Sequence, residues 1–207
     1  GDTGSEVNRV AANAIADLNT FWGATYPATF DGAAYQPPAG GYHAVDRNSR
    51  PSTLPCQPYD INQVLHNAYF CPSDDAIAWD EEFLMPELAA GYGDFAVAVV
   101  IAHEWGHAIQ HRAAFDQPTV VMELQADCLA GVWGRLANDR GNLTITEAEL
   151  QQAQDAAAAV GDDRIQRTTQ GRVDPESWTH GSSDQRRTWY LTGYRSGDPA
   201  SCDTFSG

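Results

Sequence analysis

"AVAVVIAHEWGHAIQHRA" (residues 96–113) is an apolar run interrupted by His103, Glu104, His107 and His111. Polar groups are costly to bury without partners, so a buried run of this kind must supply them. Read as a helix, it sets positions i and i+4 on one face with Cβ atoms about 6 Å apart, so both the His103 and His107 rings can reach one ion. His103-Glu104-Trp105-Gly106-His107 is the pattern H-E-x-x-H. Its glutamate lies about 100° around the helix from the first histidine, near enough to act on a water at the ion and too far round to compete as a ligand. Zinc lowers the pKa of such a water toward about 7, and the carboxylate beside it can take the proton during attack on a carbonyl. His111 continues the stripe but lies about 12 Å along the axis from His103, out of reach of the same ion. Asp94 is expected to cap this helix, which should run from about Phe95 to Arg112.

A third ligand must come from elsewhere, and "VMELQADCLAG" (121–131) offers one. Pro118 suits the first turn of a helix reaching about Ala137, with Glu123 and Asp127 again at i and i+4. With Glu123 on zinc, Asp127 accepts the N–H of a ligating histidine and fixes its ring. The swapped assignment, with Asp127 as the ligand, fits the same spacing. Gly106 and Gly131 are small enough to let these two helices approach closely. Cys128 projects more than a quarter turn from Asp127, which directs it to a disulfide rather than the metal.

Outward from this pair, Thr146-Glu147-Ala148-Glu149 is a capping box opening a helix to Val160, with Gly161 near its end. Ser182 or Ser183 can cap a last helix over about 184–195. Upstream, Ser5 can cap a helix from about Glu6 to Trp22, with Val7, Val10, Ala14, Ile15 and Leu18 on one stripe. The stretch 26–60 is rich in Pro and Gly ("YQPPAGGYH", "RPSTLPCQPYD") and reads as an irregular covering segment anchored by Tyr26, Phe30, Tyr35, Tyr42 and Cys56. Two β-prone runs, 67–71 and 76–80, flank Pro72-Ser73-Asp74-Asp75 and signal a hairpin. In the second run Ala76, Ala78 and Asp80 share one face, and Ile77 and Trp79 the other. The expected fold is α+β, mostly helical with a small sheet and with H-E-x-x-H on a central helix. It is expected to form one domain over 1–207: an N-terminal helix and covering segment to residue 60, then a catalytic core over 61–207.

The chain carries 28 acidic and 12 basic residues, a formal net charge of −16, and every base is Arg. Such a surface repels nucleic acid and anionic lipid, which makes both poor partners. No window holds the roughly 18 apolar residues of a membrane span. The chain opens at Gly1 rather than Met, which raises the expectation of a trimmed product whose export signal lies upstream. Cys56, Cys71, Cys128 and Cys202 contain no C-x-x-C pair and allow three pairings. Joining Cys56 to Cys71 and Cys128 to Cys202 would staple the covering segment and tie the C-terminal tail to the second metal-bearing helix. Two structural disulfides imply an oxidising, extracytoplasmic location.

The segments "AHEWGHAIQ", "ELQADCLAGVW", "GDDRIQ", "THGSSDQRRTWYLTGY" and "GDPASCDTF" together resemble the bacterial family described as putative neutral zinc metallopeptidases, in order and spacing over about 65–205. The first 60 residues resemble the leader of secreted actinobacterial members. One departure is Ala108-Ile109, where many members carry His-Val. The resemblance implies a zincin-like fold with one zinc per chain on His103, His107 and Glu123, Glu104 as general base, and a peptide or protein substrate. The long H-E-x-x-H-x-x-G-x-x-H pattern of astacin-like and matrixin-like enzymes is absent. As in thermolysin-like peptidases, a downstream histidine is expected to stabilise the oxyanion, and His180 is the candidate, with Arg172, Arg186, Tyr190 and Tyr194 as competitors. His43 and His66 lie outside every motif and read as surface or packing residues. Zincins commonly line the cleft with a strand that pairs with extended substrate, and 76–80 is in the right place for it. Two other readings stay open: a zinc-containing binding protein without turnover, its cleft covered by 26–60, and a zinc hydrolase of a non-peptide, cell-wall amide.

Overall fold

The computed structural model describes residues 3–142, 144–159 and 179–206. Six α-helices and three strands occur among them: α1 (Thr3–Thr29), β1 (Gly41–Val45), β2 (Ala68–Cys71), β3 (Ala76–Asp80), α2 (Leu84–Tyr92), α3 (Asp94–Arg112), α4 (Thr119–Asp139), α5 (Glu147–Ala159) and α6 (Ser183–Ser196). The architecture is α-rich with one small sheet.

The apolar run becomes α3, which is buried on nearly every side from Phe95 to Gln110. A helix apolar all round belongs in the interior, and α1, α2, α4, α5 and β2 pack around it. Asp94 is not the cap of α3. Gly93, at φ 84°, occupies the N-cap position with no side-chain cap, and Asp94 sits in the first turn, where a carboxylate suits the helix dipole. The boxes at Thr146–Glu149 and Ser182–Gln185 both form as reciprocal hydrogen bonds. Val160 and Gly161 lie outside the described residues.

Three elements differ from expectation. Helix α1 does not stop at Trp22 but continues through Pro27 to Thr29. Phe21, Trp22 and Tyr26 extend its buried stripe, and Pro27 removes only one N–H near the helix end. The Pro/Gly-rich segment contains a strand, β1, parallel to β3 in the register Gly41↔Ala76 to Val45↔Asp80. Helix α2 fills a stretch that carried no sequence signal. Its Pro86 falls in the first turn, where the missing N–H costs little. The fully buried Asp80 carboxylate accepts from the N–H groups of Glu82, Phe83 and Leu84 at its start, and from that of His66.

The β2–β3 hairpin forms, antiparallel from Ala68↔Trp79 to Cys71↔Ala76, but the strand order is β1-β3-β2. Residues 76–80 are therefore the central strand, with both edges paired and all five residues buried. They cannot take up an added peptide; the sheet's outer edges are those of β1 and β2. Two disulfides join Cys56 to Cys71 and Cys128 to Cys202.

Candidate metal centre

Helices α3 and α4 meet where Gly106 faces Ala126: a Cβ added to Gly106 would lie 3.0 Å from the Ala126 Cα. Gly131 does not serve this contact. It faces α6, where an added Cβ would lie 2.1 Å from the Tyr190 carbonyl oxygen. The α3–α4 approach sets Glu123 against the two histidines. Glu123 Oε2 lies 3.2 Å from His103 Nε2, Glu123 Oε1 lies 3.0 Å from His107 Nε2, and the two Nε2 atoms are 3.2 Å apart. Ligand atoms on a tetrahedral zinc, with bonds of about 2.0–2.1 Å, stand roughly 3.3 Å from one another. The carboxylate meets each ring with a different oxygen, and one ligand atom from each of the three groups lies within 4.8 Å of the others, close enough for all three to share one such ion. His111, one turn on, is exposed beside Phe70 and takes no part.

The outer nitrogens of both rings are engaged. His103 Nδ1–H donates to Asp127 Oδ1 at 2.8 Å, and His107 Nδ1–H donates to Gln110 Oε1 at 2.8 Å. Asp127 is thus beside a ring and not among the converging atoms, in contrast to the swapped assignment. Arg186 of α6, only 4% exposed, holds Asp127 through both oxygens, Nε to Oδ2 at 2.7 Å and Nη2 to Oδ1 at 2.9 Å. Its Nη2 also lies 4.0 Å from Glu123 Oε2.

Glu104, Glu123 and Asp127 set three buried or nearly buried carboxylates against one guanidinium, an excess of two negative charges that a divalent cation matches. Without a metal, protons answer for it. Burial alone would lower the His103 pKa, but the Asp127 carboxylate, with Glu123, overrides it and holds the ring up at about 10. His107 is also raised, burial being outweighed by its bond to Glu123. Burial would raise Glu123 and Asp127, yet both are held below the usual carboxylate range, Glu123 by the two histidines and Asp127 by Arg186 and then His103. Glu104 goes the other way, pushed up by burial.

The site opens into a cavity of about 540 Å³. One wall is the β2 edge with the residues leading into it, 66–70. Another is apolar, from Leu84, Leu88, Val99, Val100, Ala156 and Ala157, and His180 and Arg186 complete the lining. Sequence reading gave His180 and His66 to different classes, yet both line this cavity. His66 stacks on Phe83 with ring centroids 4.7 Å apart, and His43 lies elsewhere, bonded to the Gly40 carbonyl. Of the other oxyanion candidates, Tyr190 is buried and Tyr194 does not line the cavity, while Arg172 lies outside the described residues. None of the lining residues comes from 26–60. That segment instead braces the back of α3: Trp105 Nε1–H donates to the Tyr35 hydroxyl, Tyr42 stacks on Trp105, and Arg112, which also pairs with Asp75 of the β2–β3 turn, bonds to the Gln36 carbonyl.

The neutral zinc metallopeptidase family, described as "Putative neutral zinc metallopeptidase", matches residues 2–205. The chain belongs to that family. Among its relatives, "Uncharacterized protein YpfJ" of Escherichia coli K12 is 41% identical over 161 residues, covering 69% of this chain and 55% of the relative. "Uncharacterized protein Rv2575" of Mycobacterium tuberculosis H37Rv is 41% identical over 160 residues, covering 67% and 55%. The chain thus spans about half the length of the curated relatives it matches. No solved structure matches it. Within the family description, His103, His107 and Glu123 are the group able to hold the metal among the described residues.

Two polar residues at the site escaped sequence reading in these roles. Gln110 breaks the same apolar run as the histidines, and the question of what a buried polar group needs applied to it equally. Arg186 was visible only as a rival to His180.

Proposed function

We propose that the chain is a zincin-like, zinc-dependent peptidase of extracytoplasmic location. The observation that carries this is the grouping of one ligand atom each from His103, His107 and Glu123 within 4.8 Å of one another, with Glu104 one residue along α3 beside the same cavity. His103, His107 and Glu123 would hold one zinc per chain. A bound zinc supplies Lewis acidity that makes water nucleophilic near neutral pH. Glu104 takes the proton from the attacking water and returns it to the leaving amine. Asp127 keeps Nδ1 of His103 protonated so that Nε2 faces inward. His180, on the loop ahead of α6, donates to the developing oxyanion.

The free edge of β2 supports a peptide substrate, because an extended backbone can pair with it alongside the cavity. The apolar wall favours an apolar side chain next to the cleaved bond. The position of 26–60 behind α3 speaks against a covered cleft and so against a silent binding protein. The two disulfides favour an oxidising compartment.

Digestion of a mixed peptide library by zinc-loaded protein, beside Glu104→Gln, tests the proposal. Cleavage by the parent alone supports it. Failure of both proteins to cleave with zinc bound would turn the reading toward a non-peptide amide.

A further inference from the structure

We propose that Gln110, backed by Gln125, is a positioning residue for His107 and Glu123. The inference rests on the zinc reading above and adds how the second histidine is held. Gln110 lies one turn after His107 on α3 and is 1% exposed, so its amide needs partners within the fold. Its Nε2 has two hydrogens, and both are used: one goes to the Met122 carbonyl at 2.7 Å, the other to Gln125 Oε1 at 3.0 Å. Gln125 in turn donates from Nε2 to the Cys202 carbonyl at 3.1 Å. A carbonyl can only accept, so neither amide can flip without setting oxygen against oxygen.

Gln110 Oε1 must therefore face His107, and being an acceptor only, it requires the proton on Nδ1. Once the ring is neutral, that leaves the Nε2 lone pair toward Glu123 and His103, the tautomer a metal needs. The same side chain fixes α4 at its ligand, because Met122 directly precedes Glu123. A glutamine suits the place better than a carboxylate, since a fourth buried negative charge would exceed what one divalent cation and Arg186 offset. The two histidines thus have unlike supports: a carboxylate held by Arg186 for His103, and an amide locked by α4 for His107.

Zinc dissociation constants, measured by competition with a chelator, decide the matter when read beside the visible spectrum of the cobalt-substituted protein. Gln110→Leu should bind zinc about 10–100-fold more weakly than the parent and show altered cobalt bands. Gln125→Met, which removes only the backing, should show a smaller loss in the same direction and serves also if Gln110→Leu does not fold. Leu18→Ala, in the core of α1, should lower the melting temperature and leave both metal readouts unchanged. A folded Gln110→Leu or Gln125→Met with parental zinc affinity and cobalt spectrum overturns the proposal. If the parent binds zinc no better than Glu123→Ala, the zinc reading itself fails and this inference falls with it.

Discussion

Glu104, Glu123, Asp127 and Arg186 leave the site two negative charges in excess, and the pH behaviour of the metal-free protein follows from how the histidines answer. The folded pKa of His103 is raised to about 10 and that of His107 is raised above its ordinary value. A raised pKa gives stability that is full below the unfolded histidine value of about 6.5 and is lost as pH climbs through the folded one. Glu123 and Asp127 are depressed, so their contribution is present above about pH 4 and lost on acidification. Metal-free protein should therefore melt highest between about pH 4.5 and 6.5 and lose stability toward pH 10. A melting temperature that rose steadily from pH 6 to 9 would contradict this. Zinc must displace the histidine protons, so its affinity should rise with pH, and calorimetry in two buffers should detect proton release. Arg186→Leu would strand the Asp127 carboxylate, with an expected cost of about 3–5 kcal/mol in denaturant unfolding. The motif and the Glu123/Asp127 pair were legible because both depend on spacing within one helix. Arg186 was not, since its neighbour Arg187 looks the same in sequence yet pairs with Asp155 at the surface.

The crossing of α4 and α6 sets where Arg186 falls, and two glycines make it possible. A Cβ on Gly193 would stand 1.9 Å from the Cys128 carbonyl oxygen, as one on Gly131 would stand 2.1 Å from that of Tyr190. Gly193→Ala should push α6 outward, costing about 1–3 kcal/mol and weakening zinc binding through Arg186. Gly91→Ala in α2 meets nothing within 4 Å and should be neutral or stabilise by up to about 1 kcal/mol. Equal melting temperatures for the two variants would count against a tight crossing. The long amphipathic helices could be read from their own residues. Strand β1 could not, because what makes Gly41–Val45 a strand is β3, some 35 positions on in the register. Helix α2 starts from Asp80, four residues before it, whose buried carboxylate holds the leading N–H groups only once β3 has been set in the sheet.

Across the whole molecule, a segment that reads as a covering wrap serves as a brace behind α3, and the disulfides fasten it and the C-terminal tail. The bridges span separations of 15 and 74 residues. Loop closure alone gives about 3 kcal/mol for the shorter and about 4 for the longer. Paired serine replacement at Cys128 and Cys202 should therefore lower stability more than at Cys56 and Cys71, and it also loosens the Cys202 carbonyl on which Gln125 rests. The reverse order in denaturant titrations would show that native contacts, not chain entropy, dominate. The central claim is that His103, His107 and Glu123 hold one zinc, and elemental analysis of the dialysed protein and of Glu123→Ala tests it most directly. One zinc per chain in the parent and little in the variant is the predicted result; a variant that keeps its full zinc would contradict the account.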